Sequence, residues 1–418
     1  MKRLKVTLMA VLALAVVVLA GSATAQTTIT YYTFTTDQPH VDTLKSLISD
    51  FEAQNPGIKV QYTAIPFDNY FTKLQTDFAA GNPPDVFELN YENFVTFASR
   101  GTLAPLTQDM AGSNGVAAGT FYDAALKAFA YQGTQYGLPI TFSTVVLFYN
   151  KDLFDAAGLP YPTSDWTWSD VTAAAKKLTD ASKRVWGIYQ PIQFWEFYKV
   201  AAQAGGGLEV SPEVKIDTPA NRRALHYLVD KVRTDEVMPT DAQLSGVANE
   251  DFFLAGHLGM DVSGIWMFDK FKAAKFDWDI AVEPGDAQKA THFFANAAAI
   301  AQKSAHKEAA WKWVKFLASA QAVGKARIDT SWELPALSVE RLKADGLMQA
   351  YLSKGKPANR QAVFESLKYA VTPPVVADQP KLQDIINQEL QAASLGSKTV
   401  EQALADAQKR VEALVQNQ

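Results

Sequence analysis

Between Ile29 and Phe87 the chain changes four times between strand-like and helix-like patterning. Ile29 to Phe34 is β-rich. Asp37-Gln38-Pro39 then supplies a cap and an early proline ahead of Val41, Leu44, Leu47, Ile48 and Phe51, whose spacing is that of one helical face. Asn55-Pro56-Gly57 ends the helix, and Ile58, Val60 and Tyr62 alternate with polar residues as a strand does. Tyr70, Phe71, Leu74 and Phe78 mark a second helix. Gly81-Asn82-Pro83-Pro84 turns the chain into a short buried strand at Val86-Phe87. Strands joined through helices pair in parallel, so this stretch predicts an α/β architecture.

A chain of 418 residues exceeds what one hydrophobic core serves, and two domains are expected. Further strands are predicted at Val145 to Tyr149, Trp186 to Tyr189, Leu258 to Val262 and Trp278 to Val282. From Lys303 on, helical patterns dominate, at His306 to Leu317, Val339 to Tyr351, Leu382 to Ala393 and Val400 to Val415. No flexible linker divides the sequence into contiguous halves, so the chain is expected to cross between its domains more than once.

The first residues bear on the compartment. Lys2, Arg3 and Lys5 precede an unbroken apolar run from Leu8 to Leu19, and Ala23-Thr24-Ala25 has the small-x-small form of a cleavage site. Residues 1–25 therefore read as a secretory signal peptide, too short in its apolar part to span a hydrocarbon layer of ~30 Å. The expected location is periplasmic, without a lipid anchor, since the sequence has no cysteine. The formal charge of −5 offers no footprint for a nucleic-acid backbone, so nucleic acid is not an expected partner.

A search for chemistry returns little. His40, His226, His257, His292 and His306 are scattered, none in the helical pair of a zinc site, and each reads as a surface or hydrogen-bonded structural residue. Asp261-Val262-Ser263-Gly264 lacks the first glycine of a nucleophile elbow, and Gly205-Gly206-Gly207 is no phosphate cradle. With 44 acids, chance spacings are many, and counting carboxylates decides nothing about glycoside hydrolysis. No cofactor, metal or catalytic residue is expected. Aromatic rings do stand beside polar groups at Asn90-Tyr91, Trp195-Glu196, Ser263-Gly264-Ile265-Trp266 and Trp332-Glu333. A pyranose has an apolar C–H face for such a ring and a rim of hydroxyls for acids and amides. Any one of these tryptophans taken alone reads more readily as core.

The mature sequence resembles the solute-binding proteins of ABC importers, in the sugar-binding group that includes the maltose-binding proteins. Its markers are Pro56-Gly57-Ile58-Lys59-Val60, Ala80-Gly81-Asn82-Pro83-Pro84-Asp85-Val86, Tyr136-Gly137-Leu138-Pro139, Phe148-Tyr149-Asn150-Lys151-Asp152-Leu153-Phe154, Trp166-Thr167-Trp168, the Phe253 to Trp266 stretch and Glu308-Ala309-Ala310-Trp311. The resemblance implies a two-lobed periplasmic binding protein fold with the ligand cleft between the lobes. One lobe would comprise residues 26–138 and 294–345, the other residues 139–293 and 346–418.

It also implies site positions. Asp37 and Gln38 follow the first strand, and Asn90, Tyr91, Glu92 and Asn93 follow the Asp85-Val86 strand. Ser143 stands just past the first crossover, where maltose-binding members carry a glutamate, which argues against maltose itself. Trp195, with Glu196 beside it, and Trp266 match stacking aromatics. Asn296 lies beside the second crossover, and Trp332 with Glu333 sits where other members present a loop to ligand. A third stacking aromatic has no tryptophan counterpart around Pro373 to Leu382, so a smaller or shifted site is implied. The implied function is delivery of a mono-, di- or short oligosaccharide to membrane permease subunits by cleft closure, by a protein expected to be a monomer. Another polar solute such as a glycerophosphodiester, a chemosensory role and a secreted carbohydrate-active enzyme stay open as alternatives.

Overall fold

The computed structural model describes residues 26–416, and the signal-like segment 1–25 lies outside the described residues. One mixed sheet organises the molecule. Its strands run in the order Ile58–Ala64, Thr27–Thr33, Val86–Asn90, Thr291–Ile300, Gly137–Asn150, Leu258–Gly264, Trp186–Tyr189. The first three are parallel, with Thr27 opposite Ile58 and Tyr31 opposite Val86, as the strand–helix–strand pattern requires. Helix Gln38–Gln54 buries Val41, Leu44, Leu47, Ile48 and Phe51, the apolar face legible in the sequence. Phe51 meets Trp313 edge to face at 5.0 Å, on helix Lys307–Ser319, which closes this core.

The strand Gly137–Asn150 is buried along its whole length. Its first half pairs with Thr291–Ile300, from Gly137 opposite Ala299 to Thr144 opposite Phe293. Its second half pairs with Leu258–Gly264 and with Trp278–Ala281. The sequence pattern marks only Val145 to Tyr149 as strand, because Gly137-Leu138-Pro139 opens like a loop. At the change of partners, the Thr144 and Thr291 hydroxyls lie 3.1 Å apart and Thr291 Oγ1 donates to the Val145 carbonyl at 2.7 Å.

Thr291–Ile300 was not foreseen, since alanine has little preference for strands. Its alanines alternate in the manner of a strand with two covered faces. Ala295, Ala297 and Ala299 enter the core that holds Phe87 and Phe129, while Ala298 and Ile300 enter the one that holds Trp313. The expected helix Val339 to Tyr351 is two helices, Val339–Ala344 and Leu347–Leu352, parted by Gly346 at φ 70°. Among the described residues no helix is long and apolar enough to cross a membrane.

Candidate functional site

A cleft of about 580 Å³ opens where several strand ends meet. Phe34 to Asp37 and His40, following the first strand, line it together with Ser331, Trp332 and Glu333. Trp266, Met267, Asp269 and Lys270, following strand Leu258–Gly264, line it from the other end of the sheet. Ligand sites outside strand ends are the rule in open α/β sheets.

Trp266 sits in the short 3₁₀ turn Ile265–Met267, half-buried, with its ring edge to face against Phe294 at 5.2 Å. Gly264 makes room for it, because a Cβ built there would fall inside the Trp266 ring. Gly264→Ala is therefore expected to displace the indole rather than to unfold the chain, as the ring can swing toward the open cleft. The expected result is a changed near-UV dichroism with a melting temperature lowered by only a few degrees. Collapse of the fold would show that Gly264 serves backbone packing instead.

Trp332 is mostly buried and stacks on His40, ring centroids 5.1 Å apart and planes 10° from parallel. The Arg327 guanidinium covers the Trp332 ring at 4.2 Å. Burial lowers the His40 pKa, so neutral imidazole is favoured there although Asp37 lies 3.6 Å away. Ser331 and Glu333 hold left-handed backbone at φ 56° and 53°, a cost of order 1 kcal/mol each that only tight surroundings sustain. Glu333 Oε1 accepts from Ser143 Oγ at 2.8 Å, and Asn296 Nδ2 lies 3.5 Å from both carboxylate oxygens and donates to Thr141 Oγ1 at 3.1 Å. Three predicted positions from three separate segments thus form one polar cluster, of which Glu333 lines the cleft and Ser143 and Asn296 lie buried behind it.

Trp195 joins through Phe294, 6.2 Å away, and its Nε1 donates to Gln193 at 2.7 Å. His292 stacks on Phe294, and its Nε2 lies 3.3 Å from Glu92 Oε1. Burial lowers the His292 pKa. Tyr91 neighbours this group, half-buried, with its hydroxyl pKa raised by burial. Trp266, Phe294 and Trp195 make a continuous aromatic ridge, of which Phe294 was not foreseen.

Other predicted residues face elsewhere. Gln38 donates along its own helix to Asp42 at 2.8 Å and is not part of the cleft lining. Asn90 caps helix Tyr91–Ser99, its side-chain oxygen accepting from the Asn93 backbone at 3.2 Å and side chain at 2.9 Å. Glu196 requires correction. Adjacent helical positions diverge by about 100°, so Trp195 and Glu196 cannot share a face. Glu196 falls instead with Lys199 and Gln203 on the buried face of helix Phe194–Gln203. Lys199 Nζ donates to Glu196 at 2.9 Å and to Glu283 at 2.6 Å, Gln190 donates to Glu196 at 2.6 Å, and Gln203 to Glu283 at 3.1 Å.

Phe34, Thr35, Thr36, His40, Met267, Asp269, Lys270 and Ser331 are cleft residues that the sequence did not single out. His40, expected to be a structural residue, is buried against Trp332 and also lines the cleft. Asp37, His40 and Asp269 bring ligand atoms within 4.8 Å of one another, the one grouping among the described residues able to hold a cation. Asp269, however, is already paired with Lys272 at 2.6 Å.

Comparison with known proteins gives these features a context. The family model for bacterial extracellular solute-binding proteins matches residues 37–324. An ABC substrate-binding protein of Listeria monocytogenes, solved in complex with cycloalternan, is 46% identical and covers 94% of this chain and 99% of its own, with a TM-score of 0.89. An ABC transporter solute-binding protein of Thermotoga lettingae, bound with α-D-tagatose, is 25% identical over 93% of this chain and 100% of its own, TM-score 0.82. A Brucella abortus (strain 2308) protein named only as a candidate binding protein is 25% identical over 412 residues, 96% of each chain.

Proposed function

The chain belongs to the bacterial extracellular solute-binding proteins, and from that premise we propose that it is the carbohydrate receptor of an ABC importer, delivering a mono-, di- or short oligosaccharide by cleft closure. The observation that carries the reading is the lining of one cleft by Trp266 and Trp332 with Glu333 beside them, in a chain 46% identical to a protein solved with cycloalternan. Indole rings take the C–H faces of sugar rings, and Glu333, held in place by Ser143 and Asn296, takes hydroxyls. Trp195 and Phe294 extend the apolar surface. A phosphodiester is the weaker reading, since Asp37, Asp269 and Glu333 outnumber Lys270, itself paired with Asp251 at 2.8 Å.

The mechanism needs no bond to break, and we read the protein as a receptor and not an enzyme. A ligand touching both walls binds the closed form better than the open one and shifts the population toward it. Permease subunits in the membrane would recognise that closed shape. We place one lobe in residues 26–138 and 294–345 and the other in 139–293 and 346–418; the break at Gly346 fits the last boundary, while the change of strand partners falls at Thr144 and Val145, a few residues past the first. A periplasmic monomer, exported by the 1–25 segment, fits this role.

Calorimetric titration of the chain from Gln26 on tests the proposal, with cycloalternan, maltotriose, maltose, trehalose, glucose, tagatose, arabino-oligosaccharides and glycerophosphodiesters. At least one saccharide is expected to bind with a Kd of about 10 µM or tighter, near −7 kcal/mol. Binding of a phosphodiester and of no saccharide would overturn it.

A further inference from the structure

Behind the cleft, a cavity of about 10 Å³ is lined by Arg327, Ser331, Glu333, Tyr351 and Arg360, with Ile265 and Phe268 closing it from the Trp266 side. That volume admits one water-sized or monatomic occupant. Arg327 and Arg360 are 2% and 1% exposed. Arg327 Nε, Arg360 Nε and Nη1, and Ser331 Oγ are buried without a hydrogen-bond partner. Arg360 Nη2 is satisfied by the Lys356 carbonyl at 2.7 Å, and its guanidinium lies over the Tyr351 and Phe268 rings at 4.8 and 5.0 Å. No ion pair ties either guanidinium to a carboxylate among the described residues.

Two buried guanidinium ions keep their charge, and an uncompensated buried charge is costly. The carboxylates nearby do not balance them. Glu333 is engaged by Ser143 at 2.8 Å, and it can offset one charge at most. Glu88 accepts from the Tyr31 hydroxyl and is not ion-paired with either guanidinium. Neither guanidinium has a carboxylate within ion-pair distance among the described residues, the unpartnered atoms of the two arginines are all donors, and the space is too small for sulfate or phosphate. The geometry points to a monovalent monatomic anion, chloride, held between Arg327 and Arg360. Ser331 and Glu333 line both this cavity and the ligand cleft, so the ion would brace the floor on which ligand rests. The inference stands independently of which ligand the cleft takes.

The test uses the whole mature chain in sodium gluconate, with chloride replacing gluconate at constant ionic strength while thermal unfolding is followed. Chloride is expected to raise the melting temperature along a saturating single-site curve, by about 3 °C or more at 0.1 M. Bromide should substitute for it, and crystals grown in bromide should show one anomalous peak between Arg327 and Arg360. Arg360→Met should abolish the saturable response if that variant folds. Melting curves that coincide in chloride and gluconate, or a cavity without bromide density, would overturn the assignment.

Discussion

Trp266→Ala is expected to weaken saccharide binding by about 2 kcal/mol, roughly 30-fold in Kd, while leaving the fold in place. The asymmetry follows from where the indole sits. It is half-buried, resting on Gly264 and the edge of Phe294, so its removal bares these two residues to the cleft instead of opening a sealed void. What is lost is the flat apolar face offered to a sugar ring. Calorimetry of the variant against the saccharide that binds the wild type gives the first number, and a thermal melt gives the second. A variant that binds normally would remove Trp266 from the site, and one that fails to fold would return it to the core.

Lys199→Met is expected to act on stability. Glu196, Lys199 and Glu283 are almost wholly buried, and the lysine is the one cation in hydrogen-bond contact with both carboxylates. Burial pushes the Glu283 pKa up to about 7, against the pull of Lys199. For Lys199 itself, burial opposes the charge, and the two glutamates more than offset it, so its pKa is raised. Removing the cation leaves two acids facing each other in a poorly solvated space, which costs about 3 to 5 kcal/mol when a buried pair is broken. The sign of the pH dependence follows. A carboxyl whose folded pKa lies above its unfolded value stabilises fully below the unfolded value, near 4.3, and loses that contribution as pH rises through the folded one. In the wild type this window ends near 7 for Glu283, and in the variant it extends higher. Urea unfolding should therefore show a larger loss at pH 8 than at pH 5. A loss equal at both values would mean that the network carries no net charge to balance.

Much of the architecture was legible because local chemistry and final environment agree. Helix Gln38–Gln54 buries the very residues whose spacing announced it, and Trp186–Tyr189 has the bounds the pattern set. Thr291–Ile300 escaped because its alanines are chosen by the closeness of two cores, a property of the assembled sheet and not of the segment. The site divides in the same way. Trp266 was singled out through the family resemblance of the Phe253 to Trp266 stretch, and it lines the cleft. His40 could not, since a lone histidine in a first helical turn looks like surface until the fold brings Trp332 against it. Glu196 misled because neighbours in sequence are not neighbours in direction once a helix forms.

The strand Gly137–Asn150 has a mechanical meaning. Its ladder passes from one set of partners to another at Thr144 and Val145 without a break in the strand. Motion between the two ends of the sheet is then a torsion of a stiff ribbon, not a swing on slack threads. In the closure proposed above, such a joint would have few conformations to lose, and its elasticity would favour return to a single resting angle. It also means that neither end can be excised as a free-standing piece, because any cut between them severs a strand that both ends share.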